Sequence, residues 1–115
     1  MITVYGIPNC DTVKKARTWL STHGIEHQFH DFKKQGVPAE LPTWVDVLGW
    51  ETLVNRKGTT WRKLEPAAQA AVKDTASALA LMQDHASVIK RPVVVWTPGQ
   101  LTVGFDAQAW QARLP

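Results

Sequence analysis

Hydrophobic and polar positions change period several times along this chain, and each change marks an element. Ile2 to Gly6 reads ITVYG, rich in β-branched and aromatic residues, and stops at Gly6 and Pro8. It predicts a strand that ends in a tight turn. Val13, Ala16 and Leu20 then recur at helical spacing, with Lys14, Lys15 and Arg17 on other faces. His23 and Gly24 close that helix, a cation-capable group in the last turn followed by a residue able to take the left-handed cap. Ile25 to Phe32, IEHQFHDF, alternates imperfectly and predicts a second strand.

From Pro38 to Ile89 the character is helical. PAELPTWVDVLGW predicts a short helix starting near Thr43 and ending at Gly49. EPAAQAAVKD places Pro66 at a first helical position. In TASALALMQDHASVIK, the residues Leu79, Met82, Ala86 and Ile89 form one apolar stripe. RPVVVW then reads as a buried strand and GQLTVGF as another, with Pro98 and Gly99 as the turn between them. DAQAWQARL predicts a last helix with Asp106 as its N-cap. The order predicts an α/β fold with a mixed sheet of about four strands. The first strand–helix–strand unit is right-handed and parallel, and the last two strands are antiparallel. Residues 1–115 form a single domain with a helical insertion over about 38–89.

Composition narrows the function classes. At 115 residues, 44% apolar and 20% charged, the chain can bury a real core and is no disordered tail. Its longest apolar runs, such as VVVW at Val93 to Trp96, are too short for a bilayer, so no membrane association is expected. The N-terminus has no basic, apolar and small-residue succession of a signal peptide. The single cysteine, Cys10, can form no internal disulfide, which suits a reducing, cytoplasmic location. The net charge is +3, and the cations come in small groups that favour anionic ligands. No arginine-rich tract or stacking-aromatic motif accompanies them, so direct nucleic-acid binding is not expected. The six Trp residues read as core and interface packing. His23, His27 and His30 are close in sequence, but a strand would send His27 and His30 to opposite faces, so no metal site is expected. His85 reads as a helix C-terminal cap rather than a base near Arg91. No phosphate-binding loop, dinucleotide fingerprint or serine-nucleophile motif is present.

The remaining chemistry centres on Cys10, which follows the first strand and a proline turn where the first helix should begin. Asn9 is a good N-cap residue and would put Cys10 in the first turn, among free N–H groups that favour a thiolate. Enriching the thiolate a hundredfold takes about 2.7 kcal/mol. A helix terminus supplies about 0.3–1 kcal/mol when exposed and up to about 2 when partly buried. Asp11 acts in the opposite direction, so a nearby cation is needed. Lys14, one turn along, can serve if its side chain folds back.

Three segments together carry a resemblance: VYGIPNCDTVKKARTWL, NRKG and MQDHASVIKRPVVV. The pattern Y-x-x-P-x-C before a helix, a later R-K at Arg56, and H-x-x-V-I-x-R-P from His85 to Pro92 are similar to the arsenate reductase (ArsC) family. They resemble especially the branch holding the Spx regulator and the YffB-type proteins, and the resemblance covers essentially the whole chain. The resemblance implies a thioredoxin-like fold with a helical insertion. It implies Cys10 as nucleophile, Arg56 and Arg91 binding an oxyanion or stabilising the thiolate, and a cis bond before Pro92. Arsenate reductases carry a third arginine in the strand after the R-P segment, where this chain has Gly104. The regulator branch often has a cysteine three residues after the first, where this chain has Val13, which excludes an internal dithiol switch. The resemblance therefore implies a glutathione-dependent thiol reductase or arsenate-reductase-like protein. It would have no tightly bound cofactor, glutathione or another small thiol as co-substrate, and an oxyanion as a further ligand. The alternative is a regulatory module that binds RNA polymerase or another protein.

Overall fold

Strand β1 (Ile2–Gly6) is an inner strand of the sheet, and its apolar face holds the middle of the core. The computed structural model describes residues 1–97 and 99–114. Helix α1 (Asp11–Thr22) follows β1 and buries Val13, Ala16 and Leu20, the residues whose spacing predicts that face. It ends at His23, as read, and strand β2 (His27–Asp31) then pairs parallel with β1, with Val4 opposite Phe29. Strand β3 (Val93–Val95) is antiparallel to β1, and β4 (Leu101–Val103) is antiparallel to β3. The order β2-β1-β3-β4 is the mixed four-stranded sheet that the element succession predicts. The turn assigned to Pro98 and Gly99 falls partly outside the described residues, because Pro98 is not among them.

The chain divides into two compact units, Met1–Asp31 with Arg91–Pro115, and Phe32–Lys90. In the sheet unit, Val4, Ala16, Leu20, Val94, Trp96 and Trp110 make the core. Trp110 comes from the short helix after β4, Ala107–Gln111, and meets Trp19, Trp96 and Phe105 edge-on at 5.5, 4.9 and 4.7 Å. Such edge-to-face contacts add about 0.5–1.5 kcal/mol each beyond area burial. Asp106 caps that helix as predicted, its carboxylate accepting from the N–H groups of Gln108 and Ala109.

The helical unit begins earlier than the pattern predicts. Phe32 is buried and opens α2 (Phe32–Gln35) instead of ending β2. It is followed by α3 (Leu41–Leu48), α4 (Trp50–Leu53), α5 (Thr59–Lys63), α6 (Pro66–Ala70) and α7 (Thr75–Asp84). The expected stop at Gly49 and the expected start at Pro66 are both observed. The helix of the sheet unit after β4 is accordingly α8. The apolar stripe running to Ile89 breaks. α7 ends at Asp84, His85 is its C-cap, and Ala86–Val88 is a turn of 3-10 helix. Ile89 bridges Val54, while Asn55 N–H donates to Val88 and Lys90 N–H donates to Leu53. Extending the helix would have broken this pairing, and Val88 and Ile89 stay buried without it. The other buried residues of this unit include Leu41, Trp44, Leu53 and Met82.

Candidate functional site

The end of β1 lies tight against α1. A Cβ on Gly6 would come within 2.8 Å of Val13 Cγ2, so glycine is what lets the strand approach the helix so closely. The chain then turns through Pro8 and Asn9 and enters α1. The N-cap is Cys10, not Asn9: Cys10 has φ −107° and ψ 124°, and its carbonyl accepts the first helical bond from Lys14 N–H at 2.9 Å. Asn9 is exposed within the turn and caps nothing, because the turn uses one residue more than the sequence pattern suggests. Cys10 thus occupies the position that serine, threonine or aspartate normally fills.

No first-turn amide makes a close cap bond to the sulfur. Several groups nevertheless act on its charge. Burial is the largest single influence and raises the thiol pKa. Against it work the backbone N–H of Val13, the hydrogen bond and the positive charge of Arg91, and the backbone N–H of Thr12, and together they hold the thiol below its ordinary value. Cys10 itself is partly exposed, so the sulfur can be reached. A partly exposed, low-pKa thiol at a helix start is the setting of reactive cysteines.

Sheet topology brings Arg91 to Cys10. β3 runs antiparallel to β1 with Val93 opposite Tyr5, so the residues entering β3 lie beside those leaving β1. The Arg91–Pro92 bond is cis. Pro92 is buried, and its carbonyl accepts from Gly104 N–H at 2.8 Å. Gly104, where arsenate reductases are expected to carry an arginine, has φ +84°. Space is open around it, but an L side chain there would be strained by the backbone alone.

The other residues singled out by sequence have different surroundings. Lys14 is exposed and is not among the groups that hold the thiol down; its side chain borders a groove along α1. Arg56 belongs to the helical unit, where its guanidinium lies over the rings of Trp50 and Trp61 at 5.2 and 5.8 Å. His23 stacks on Trp19 at 3.9 Å, His27 accepts from Arg17 Nε at 3.4 Å, and the His30 ring sits 5.0 Å from Tyr5. Among the described residues, no three His, Cys, Asp or Glu side chains gather as a metal site. Also among them, no helix is long and apolar enough to cross a membrane. The free first-turn amides that the sequence expects to favour a thiolate are those of Thr12 and Val13; what sequence reasoning missed is that Cys10 is itself the cap. The residue after Cys10 being Asp11, a good first-turn residue, was the signal that the cap lay at Cys10.

A mixed four-stranded sheet, a single cysteine heading the first helix and a cis-proline leading into the third strand define a thioredoxin-like α/β protein. The chain belongs to the ArsC family, whose profile matches residues 5–113. It is similar to the structure of the YFFB (PA3664) protein, with 44% identity, full coverage of both chains and a TM-score of 0.90. It is also similar to the solution structure of an arsenate reductase (ArsC) related protein from Brucella melitensis. That pair shares 48% identity over 96% of this chain and 92% of that one, with a TM-score of 0.76. The global transcriptional regulator Spx of Streptococcus agalactiae is 26% identical across the whole of this chain and 84% of its own length.

Proposed function

We propose that the protein is a thiol reductase that works through Cys10 alone and uses glutathione as its co-substrate. The observation that carries this reading is the thiol held below its ordinary pKa by Arg91 and the first-turn amides. The Cys10 thiolate attacks the glutathione sulfur of a mixed disulfide. A new S–S bond joins Cys10 to glutathione, and the substrate leaves as a thiolate with the electron pair of the broken bond. A second glutathione thiolate then attacks the adduct, releases glutathione disulfide and returns Cys10. Val13 is fully buried and carries no sulfur, so an internal thiol cannot compete with that second step. The Arg91 guanidinium suits a carboxylate of the peptide as well as the thiolate. Arsenate is expected to be a poor substrate. Losing one fixed donor to a developing oxyanion costs about 10²–10³-fold, and Gly104 cannot supply one.

The test is mass spectrometry after exposure to oxidised glutathione. The expected result is one glutathione on Cys10, formed rapidly in the native protein and slowly in Arg91→Ala. An adduct that forms slowly in both proteins would refute recognition of glutathione. The similarity to Spx over the whole chain supports a second reading, a module that docks on RNA polymerase or another protein. It predicts binding to the polymerase that survives Cys10→Ser.

A further inference from the structure

The groove along α1 is not used by the chemistry above. It measures about 490 Å³ and runs beside Lys14, Lys15, Thr18 and Thr22, with Trp19 and Phe105 supplying its apolar surface. Trp19 and Phe105 meet edge-on at 6.5 Å and are only partly buried, so both keep some surface open to the groove. His23 closes the far end, stacked on Trp19. None of the lining residues described is acidic. The nearby Asp106 spends its carboxylate on the first amides of α8.

We infer that this groove docks a short, extended peptide segment of a partner protein, with acidic side chains at one end and an aromatic or aliphatic anchor at the other. Charge complementarity sets the acidic end: Lys14 and Lys15 are adjacent, exposed and at the end of the groove nearer Cys10. The apolar end follows from Trp19 and Phe105, whose partly exposed surface gains from covering by a second apolar side chain. Length fits as well. Lys14 to Thr22 spans about 12 Å of helix, the reach of about four extended residues. A nucleic acid strand would need cations along its whole track, whereas these two lysines sit at one end. The docking does not depend on the thiol chemistry, and it would place the partner next to Cys10.

The probe is a fluorescein-labelled peptide, acetyl-Glu-Glu-Ser-Phe-Leu-amide, followed by fluorescence anisotropy on the full chain. Saturable binding is expected, unchanged in Cys10→Ser. Replacing both glutamates by glutamine should weaken it about tenfold, the scale of two exposed ion pairs. Alanine in place of the phenylalanine should weaken it at least as much. Lys15→Glu and Thr18→Glu, both at exposed positions, should each cut affinity about fivefold or more while leaving the rate of Cys10 alkylation as it was. Equal binding of a peptide with two lysines in place of the glutamates would overturn the inference. So would binding that is indifferent to both substitutions, or a short single-stranded oligonucleotide that displaces the peptide at lower concentration. Failure of glutathione adduct formation would touch only the function proposed for Cys10, and loss of peptide binding only the groove.

Discussion

Two helix starts, one in each unit, solve the same physical problem differently. α7 opens with Asp74, whose carboxylate accepts from Ser77 N–H at 2.9 Å, while Ser77 Oγ accepts from Asp74 N–H at 3.1 Å. That reciprocal capping box satisfies the orphan donors with oxygen and fixes the chain. The bond from the Ser77 hydroxyl, followed by its backbone N–H, holds the Asp74 carboxyl below its ordinary value. α1 opens with Cys10, and its first amides have a polarisable sulfur before them instead of an oxygen cap. Oxygen makes a helix start stable. Sulfur leaves part of the same electrostatic field for a reactive anion, and Arg91 adds what the helix cannot supply.

The largest effect should come from Cys10→Ser, which removes the sulfur but keeps a good cap. All alkylation and all glutathione adduct are expected to disappear, with circular dichroism unchanged. A changed spectrum would break the comparison, because the serine would then not have replaced the sulfur as a cap.

Next comes the separation of helix from cation. Arg91→Ala should slow Cys10 alkylation at neutral pH about tenfold, the scale of a lost charge-assisted bond. A Cys10→Ser, Asp74→Cys double variant moves the sulfur to α7, where the cation acting on the cap is Lys73, the smallest of the influences there. Its alkylation should lag native Cys10 by a similar factor. Equal rates would mean that any helix start suffices and that Arg91 is dispensable.

Gly104→Arg tests whether the third arginine of the arsenate reductases can simply be restored. With φ at +84°, the substitution should cost about 1–3 kcal/mol, read by denaturant unfolding. No arsenate turnover should be gained, because the strained backbone also carries the N–H that anchors Pro92. Efficient turnover would show that the missing donor alone had closed the site to arsenate.

The smallest effects concern pH. Asp74→Ala should lower the melting temperature by a few degrees at neutral pH. The folded carboxyl titrates lower than the unfolded one, so its stabilisation is present above the unfolded pKa and is lost as pH falls through the folded one. The deficit should therefore vanish in acid. Cys10 follows the same rule at higher pH. The native protein should gain stability over Cys10→Ser as pH rises from the folded thiol pKa toward the ordinary thiol value, and the gap should then level off. A gap independent of pH would mean that the thiol is not perturbed by folding.

Local pattern alone determined much of this protein. The buried face of α1 at Val13, Ala16 and Leu20, the cap at Asp106, the stop at His23 and the parallel and antiparallel strands all follow from spacing and turn chemistry. These are interactions within a few residues, or choices fixed by the handedness of the chain. The single cysteine and Val13 three positions later likewise settle, without any structure, that no internal dithiol forms. Tertiary structure decided the rest. Whether Asn9 or Cys10 caps α1 depends on the length of the turn between β1 and the helix, beside which Gly6 packs closely on Val13. α7 stops at Asp84 rather than carrying its stripe to Ile89, because Val54 offers that backbone a partner from far along the chain. Arg91 rather than Lys14 meets the thiol for the same kind of reason. Lys14 is near in sequence but lies out along the helix, whereas antiparallel pairing of β3 with β1 carries Arg91 to the sulfur. The charge that a thiolate needs came from strand pairing, which one-dimensional spacing does not encode.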